Sequence, residues 1–94
     1  MRTTFEKALQ IKGHLHQALK GSEELNELAA ELTRYGLDEH WDREKILEEL
    51  TDVEIMIKQV KLIFNFTSDE LLHMKALKIA KLEMHLQDCE KNNK

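Results

Sequence analysis

The sequence predicts an all-α protein, a four-helix bundle completed by oligomerisation, and three observations point there. The 94-residue chain has no proline and three glycines, so little interrupts helix formation. It is 34% charged and 41% hydrophobic and is rich in Leu, Glu and Lys, the balance of helices with charged outer faces. Its Leu, Ile and Met content exceeds what one solvated bundle of this size buries, which points to a homodimer or homotetramer. Residues 1–94 read as a single domain.

The first helix is expected over Thr4–Lys12, with Phe5, Leu9 and Ile11 as its apolar surface and Gly13 as its break. The second is expected over His14–Arg34, where Leu15, Leu19, Leu25, Leu28 and Leu32 recur at near-helical spacing. Gly21 falls in its middle, at a cost of about 1 kcal/mol relative to Ala; a close approach of another backbone or a plain bend accounts for it. Tyr35 to Trp41 reads as a connection, with Gly36 as the helix stop. Asp42 is a fitting N-cap for the third helix, which runs to about Asn65 and is the most apolar of the set. Thr67-Ser68-Asp69-Glu70 has the spacing of a capping box. The fourth helix then runs to about Asp88, with Leu71, Met74, Leu77, Leu82 and Leu86 on one side. The tail Lys91-Asn92-Asn93-Lys94 reads as frayed.

The net charge of −4, from 14 basic and 18 acidic residues, excludes a basic nucleic-acid binder. The apolar runs are too short to span a membrane, and Met1-Arg2-Thr3-Thr4-Phe5-Glu6 lacks the apolar core of a signal peptide. The single Cys89 rules out a disulfide framework or a thiolate metal site. A reducing cytoplasm is the expected setting.

Two acidic signatures carry the chemistry. Glu23-Glu24-Leu25-Asn26-Glu27 lies on the second helix and Glu49-Leu50-Thr51-Asp52 on the third. Each sets two carboxylates three residues apart, on one helix face and about 5–6 Å from each other. Glu49 and Asp52 also project close to Ile46, Val53, Met56, Val60 and Ile63, the apolar side of their helix. Carboxylates aimed at a core are costly unless something positive compensates them. Four of them on facing helices suit Mg²⁺, a hard cation that shares its shell with substrate phosphates. Glu-x-x-Glu is also common on solvated helix faces, and Glu23, Glu31, Glu44 and Glu48 are expected to be solvated.

The whole pattern, Glu23-Glu24-x-x-Glu27 followed by Glu49-x-x-Asp52, resembles the all-α nucleoside triphosphate pyrophosphohydrolases. That superfamily includes MazG, the dimeric dUTPases, dCTP pyrophosphatase and phosphoribosyl-ATP pyrophosphohydrolase. The run from Glu48 to Val60 is similar to the third helix of short MazG-like proteins, and Gln17 is also familiar from that group. The likeness covers residues 13–66 well and the fourth helix loosely; Gly21 and Ser22 depart from it, standing where such chains carry helix-favouring apolar residues. It implies that Glu24, Glu27, Glu49 and Asp52 ligate Mg²⁺, or Mn²⁺, with Glu23 as a supporting acid. It implies hydrolysis of an NTP or dNTP to the monophosphate and pyrophosphate by a dimer or tetramer with active sites near subunit contacts.

Secondary candidates carry two readings each. Lys78 and Lys81 would reach substrate phosphates, from their own or a neighbouring subunit, or form a solvated face with Glu83 and Asp88 nearby. Gln17, His14 and His16 would line a nucleobase pocket or lie on the surface. Tyr35 and Trp41 would stack on a base or cap the helix ends. Glu70-x-x-His73 matches half of a di-iron motif that recurs on two helices, and one copy is present. The competing function is a non-catalytic helical interaction or nucleotide-binding module with structural acids.

Overall fold

The computed structural model describes residues 2–92. Four helices follow one another: α1 (Thr4–Lys12), α2 (His14–Gly36), α3 (Arg43–Phe64) and α4 (Ser68–Asn92). The described residues contain no strand.

Local chemistry accounts for most of the ends. Thr3 and Glu6 form a full capping box at the start of α1, each side chain accepting from the other's backbone N–H. Gly13 separates α1 from α2 with φ +92°, a conformation that costs glycine nothing and a residue with a Cβ a good deal. Asp42 caps α3 as expected, accepting from the Glu44 N–H at 3.0 Å. At the far end Asn65 adopts the left-handed conformation. Its N–H bonds the Leu62 carbonyl and that of Phe66 bonds the Lys61 carbonyl, the paired closure that stops a helix when Asn stands in for Gly. Thr67 then accepts from the Glu70 N–H at 3.1 Å and opens α4.

Two expected ends differ. Gly36 is not the stop of α2: it is the last helical residue, and the chain turns at Asp38, which takes φ +57°. Asp tolerates this region because its short side chain bonds locally. Helix α4 continues to Asn92, past the expected end near Asp88, since no glycine or proline interrupts it. Of the tail expected to fray, Lys91 and Asn92 are helical, and Asn93 and Lys94 lie outside the described residues.

Helices α2 and α3 form an antiparallel hairpin. Gln17 meets Gln59 near its open end, and Gly21 meets Met56 and Val60 further along. The facing residues on α3, Ile46, Glu49, Val53, Met56, Val60 and Ile63, are buried or half-buried. Their alternating spacings of three and four are those of a coiled-coil seam. On α2 the seam is Gln17, Gly21, Glu24, Leu28 and Glu31, all buried or half-buried. Helix α1 lies against both, with Leu9 buried. It is tied down by Gln59, whose Nε2 donates to the Phe5 carbonyl at 3.0 Å. Tyr35 and Trp41 pack edge to face, centroids 4.9 Å apart, at the closed end of the hairpin.

Of the leucines expected to drive α2 into the core, only Leu28 joins the seam. Leu15 and Leu19 are 84% and 73% exposed, and Leu25 and Leu32 are also exposed. The seam uses the other face of the helix, where polar residues and Gly21 allow close approach. The four-helix bundle is likewise incomplete within one chain. Helix α4 packs against none of α1–α3 and buries none of its residues. The radius of gyration is 17.4 Å, against about 12 Å for a compact domain of this length. Buried apolar side chains number three among the described residues, Leu9, Val53 and Met56.

Gly21 marks the close approach of α3. A Cβ placed there would stand 3.7 Å from the Met56 Cβ and 3.9 Å from Met56 Cε and Val60 Cγ2. Those are ordinary contacts, so the glycine's helix penalty is removable. Gly21→Ala is expected to raise stability by about 0.5–1 kcal/mol in denaturant titrations; a loss of stability would mean that the hairpin is more tightly closed than this.

Candidate metal centre

The hairpin register sets two carboxylate pairs across the seam. Glu24 on α2 faces Asp52 on α3, and Glu27 faces Glu49. One carboxylate oxygen from each of Glu24, Glu49 and Asp52 lies within 4.8 Å of the others. The helix through Gly21 and Ser22 is unbroken, so this departure from the resembled pattern leaves Glu23 and Glu24 in register.

Burial divides the acids by position on the seam. Glu24 and Glu49 are 7% and 4% exposed, while Glu23, Glu27 and Asp52 are exposed. Each buried carboxylate has one neutralising partner a helical turn before it. Lys20 Nζ stands 3.0 Å from Glu24 Oε1, and Lys45 Nζ stands 3.1 Å from Glu49 Oε1. Both ammonium groups are raised above the ordinary lysine range, chiefly by these hydrogen bonds. The second oxygen of each buried acid, Oε2, is enclosed without any hydrogen-bond partner. An enclosed, unpartnered carboxylate oxygen costs several times what one hydrogen bond contributes, and the two lysines leave these oxygens uncompensated.

Like charge and desolvation disturb the two exposed acids as well. The Glu27 carboxyl is raised above its ordinary range by the Glu49 carboxylate close beside it, then by the charge of Glu24. Asp52 is raised by desolvation, then by Glu24 and Glu49. Such pairs share a proton or a cation. Oxygens around an octahedral Mg²⁺ stand about 3 to about 4.2 Å apart, close to the spacing that Glu24, Glu49 and Asp52 already have. All-oxygen donors suit Mg²⁺ or Mn²⁺ better than softer metals, so the residues present fit the group.

The remaining candidates are placed differently. Glu23 lies outside the three-acid cluster, 3.9 Å from Lys20. Gln17 is buried and occupied by packing: its amide donates to Gln59 Oε1 at 3.4 Å, and its carbonyl lies 3.1 Å from His16 Nδ1. His14 sits beside Glu6, Leu9, Gln10, Leu62 and Asn65, about 15 Å along the helix from Glu24. Lys78 and Lys81 lie on α4 with Met74 and Leu77, away from the acids of their own chain. Glu70 and His73 join no group of three potential ligands among the described residues. A larger hollow of about 420 Å³, where α3 gives way to α4, is lined by Lys61, Ser68, Leu71, Leu72 and Lys75 and holds no acid.

Four residues were not foreseen. Glu31, expected to be solvated, is 6% exposed and pairs with Arg34 Nη1 at 2.6 Å. It is buried because it continues the seam run of Gln17, Gly21, Glu24 and Leu28. Lys20 and Lys45 were legible in principle: each stands four residues before a buried glutamate. The chain has no significant match to a protein-family model, a curated protein or a solved structure.

The raised Asp52 carboxyl gives a pH signature. A carboxyl whose pKa is higher in the folded state lowers stability at neutral pH, and the loss is recovered as the pH falls through that raised pKa. Without metal, Asp52→Asn is therefore expected to melt above the wild type at neutral pH. The gap should close as the pH falls toward the carboxylate range. A gap independent of pH, read by thermal unfolding, would remove Asp52 from the cluster.

Proposed function

We propose that this chain is a Mg²⁺-dependent nucleoside triphosphate pyrophosphohydrolase of the MazG-like type, which hydrolyses an NTP or dNTP to the monophosphate and pyrophosphate. The observation that carries the reading is the pair of buried glutamates, Glu24 and Glu49, each with an unpartnered oxygen and both beside Asp52. The acids that meet across the hairpin are those the resemblance names as ligands.

Glu24, Glu49 and Asp52 hold the cation, with Mn²⁺ an acceptable substitute, and Glu27 completes the set from beside Glu49. When bound there, Mg²⁺ supplies charge neutralisation for the triphosphate and makes water more acidic. A carboxylate oxygen left free by the ion takes the attacking water's proton. Glu23, exposed next to Glu24, supports the field of the centre.

The functional unit in this reading is a cytoplasmic homodimer or homotetramer. Leu72, Leu77, Leu82 and Leu86 are exposed on α4, as are Leu15 and Leu19 on α2, and a second copy covers them. Lys78 and Lys81 reach substrate phosphates only from such a copy, because α4 does not touch its own hairpin. The exposed apolar side of α4 equally suits a non-catalytic interaction module, and the two readings part on turnover.

A panel of NTPs and dNTPs with Mg²⁺ is expected to yield monophosphate and pyrophosphate, with product lost in Glu49→Gln while helicity is kept. Mg²⁺ at a hundredfold excess over its dissociation constant is expected to stabilise the wild type by about 2.7 kcal/mol, and Glu49→Gln to respond little. Full activity in Glu49→Gln and Asp52→Asn would overturn the metal assignment. A Mg²⁺ response without turnover of any nucleotide would favour the binding module.

A further inference from the structure

The acidic centre opens on one side into a cleft of about 380 Å³, toward the closed end of the hairpin, lined by Glu27, Ala30, Glu31, Arg34, Lys45 and Glu49. Its volume falls within the range of small-ligand sites, about 300–1,000 Å³. Its charged lining is three acids, Glu27, Glu31 and Glu49, and two cations, Arg34 and Lys45.

Arg34 is held in an unusual way for a surface arginine. Its partner Glu31 is 6% exposed, so a seam position that could carry an apolar residue holds a carboxylate. That carboxylate engages Nη1 alone, at 2.6 Å, and the arginine side chain is 51% exposed. A planar guanidinium carries five donors in a fixed fork, and those not facing Glu31 remain for a ligand in the cleft. Lys45 stands on the facing helix, its Nζ 3.1 Å from Glu49 Oε1. A pinned fork beside a point charge is the donor set that recognises phosphoryl oxygens.

The charge of the cleft explains when it would bind. Glu27, Glu31 and Glu49 outnumber Arg34 and Lys45, so the cleft alone repels an anion. A divalent cation on the carboxylates reverses that sign and relieves Lys45 of neutralising Glu49.

We propose that Arg34 and Lys45 form a phosphoryl-anion subsite on the turn side of the metal centre, holding the diphosphate part of the substrate once a divalent cation is bound. Glu31 is the positioning residue that fixes Arg34. The inference rests on the pyrophosphohydrolase reading and adds to it the residues that bind the departing pyrophosphate.

The test is calorimetric titration of inorganic pyrophosphate into the full chain, with and without Mg²⁺, beside a Mg²⁺-induced thermal shift for each variant. Wild type is expected to bind pyrophosphate only with Mg²⁺. Arg34→Gln and Lys45→Gln are expected to bind it about tenfold more weakly or worse, the size of one charge-assisted hydrogen bond, with the Mg²⁺ shift kept in Arg34→Gln and kept or enlarged in Lys45→Gln, which frees Glu49 of its lysine. Arg34→Lys keeps a cation on Glu31 and so keeps the fold even where Arg34→Gln does not; it is expected to lose several-fold, since a lysine cannot reproduce the fork. Unchanged pyrophosphate affinity in Arg34→Lys and Lys45→Gln, with the Mg²⁺ shift present, overturns the subsite and leaves the metal centre standing. So does a wild type that responds to Mg²⁺ but never binds pyrophosphate. No Mg²⁺ shift in the wild type overturns the metal reading, and the subsite falls with it.

Discussion

Two glutamates buried on the seam of a helical hairpin set the terms for the rest of this structure. Glu24 and Glu49 occupy positions where a helical hairpin ordinarily packs apolar side chains, and each retains an enclosed oxygen with no partner. Lys20 and Lys45 neutralise the pair from one turn away but reach only one oxygen each. Replacing such ion pairs with apolar residues of similar size commonly leaves a protein as stable or more so. Their presence is therefore weak as an account of stability.

The surrounding helices serve that placement. Gly21 faces Met56 and Val60, and the Gln17–Gln59 link, with Gln59 bonded to the Phe5 carbonyl, fixes α1 and the open end of the hairpin. The register these contacts impose puts Glu24 opposite Asp52 and Glu27 opposite Glu49. On the other side of the acids, Glu31, Arg34 and Lys45 extend the alternation of charges toward the turn.

How much of this was legible in the sequence depended on which helix was read. On α3 the apolar stripe is continuous, so Glu49 and Asp52 stood out as interruptions, and Glu49 is indeed buried. Asp52 sits at the edge of the stripe and stays exposed. On α2 hydrophobic periodicity selected the wrong face, because Leu15, Leu19, Leu25 and Leu32 point outward while the seam is made of Gln17, Gly21, Glu24, Leu28 and Glu31. A seam that is mostly polar leaves no apolar period to detect, and Glu31 was missed for that reason. Caps were readable at Asp42 and Thr67 because a side-chain acceptor at a fixed offset decides them. The turn at Asp38 was not, since the expected stop fell on the nearby Gly36. The helical character of α4 follows from local propensity, but propensity says nothing about what a helix packs on.

The most direct test of the central claim is diffraction from crystals grown with Mn²⁺, recorded for its anomalous signal. A peak among Glu24, Glu49 and Asp52, with the formerly unpartnered Oε2 atoms turned to the ion, is the expected result. Well-ordered glutamates still held by Lys20 and Lys45, with no anomalous peak between them at saturating Mn²⁺, would contradict it and return the acids to a purely structural role.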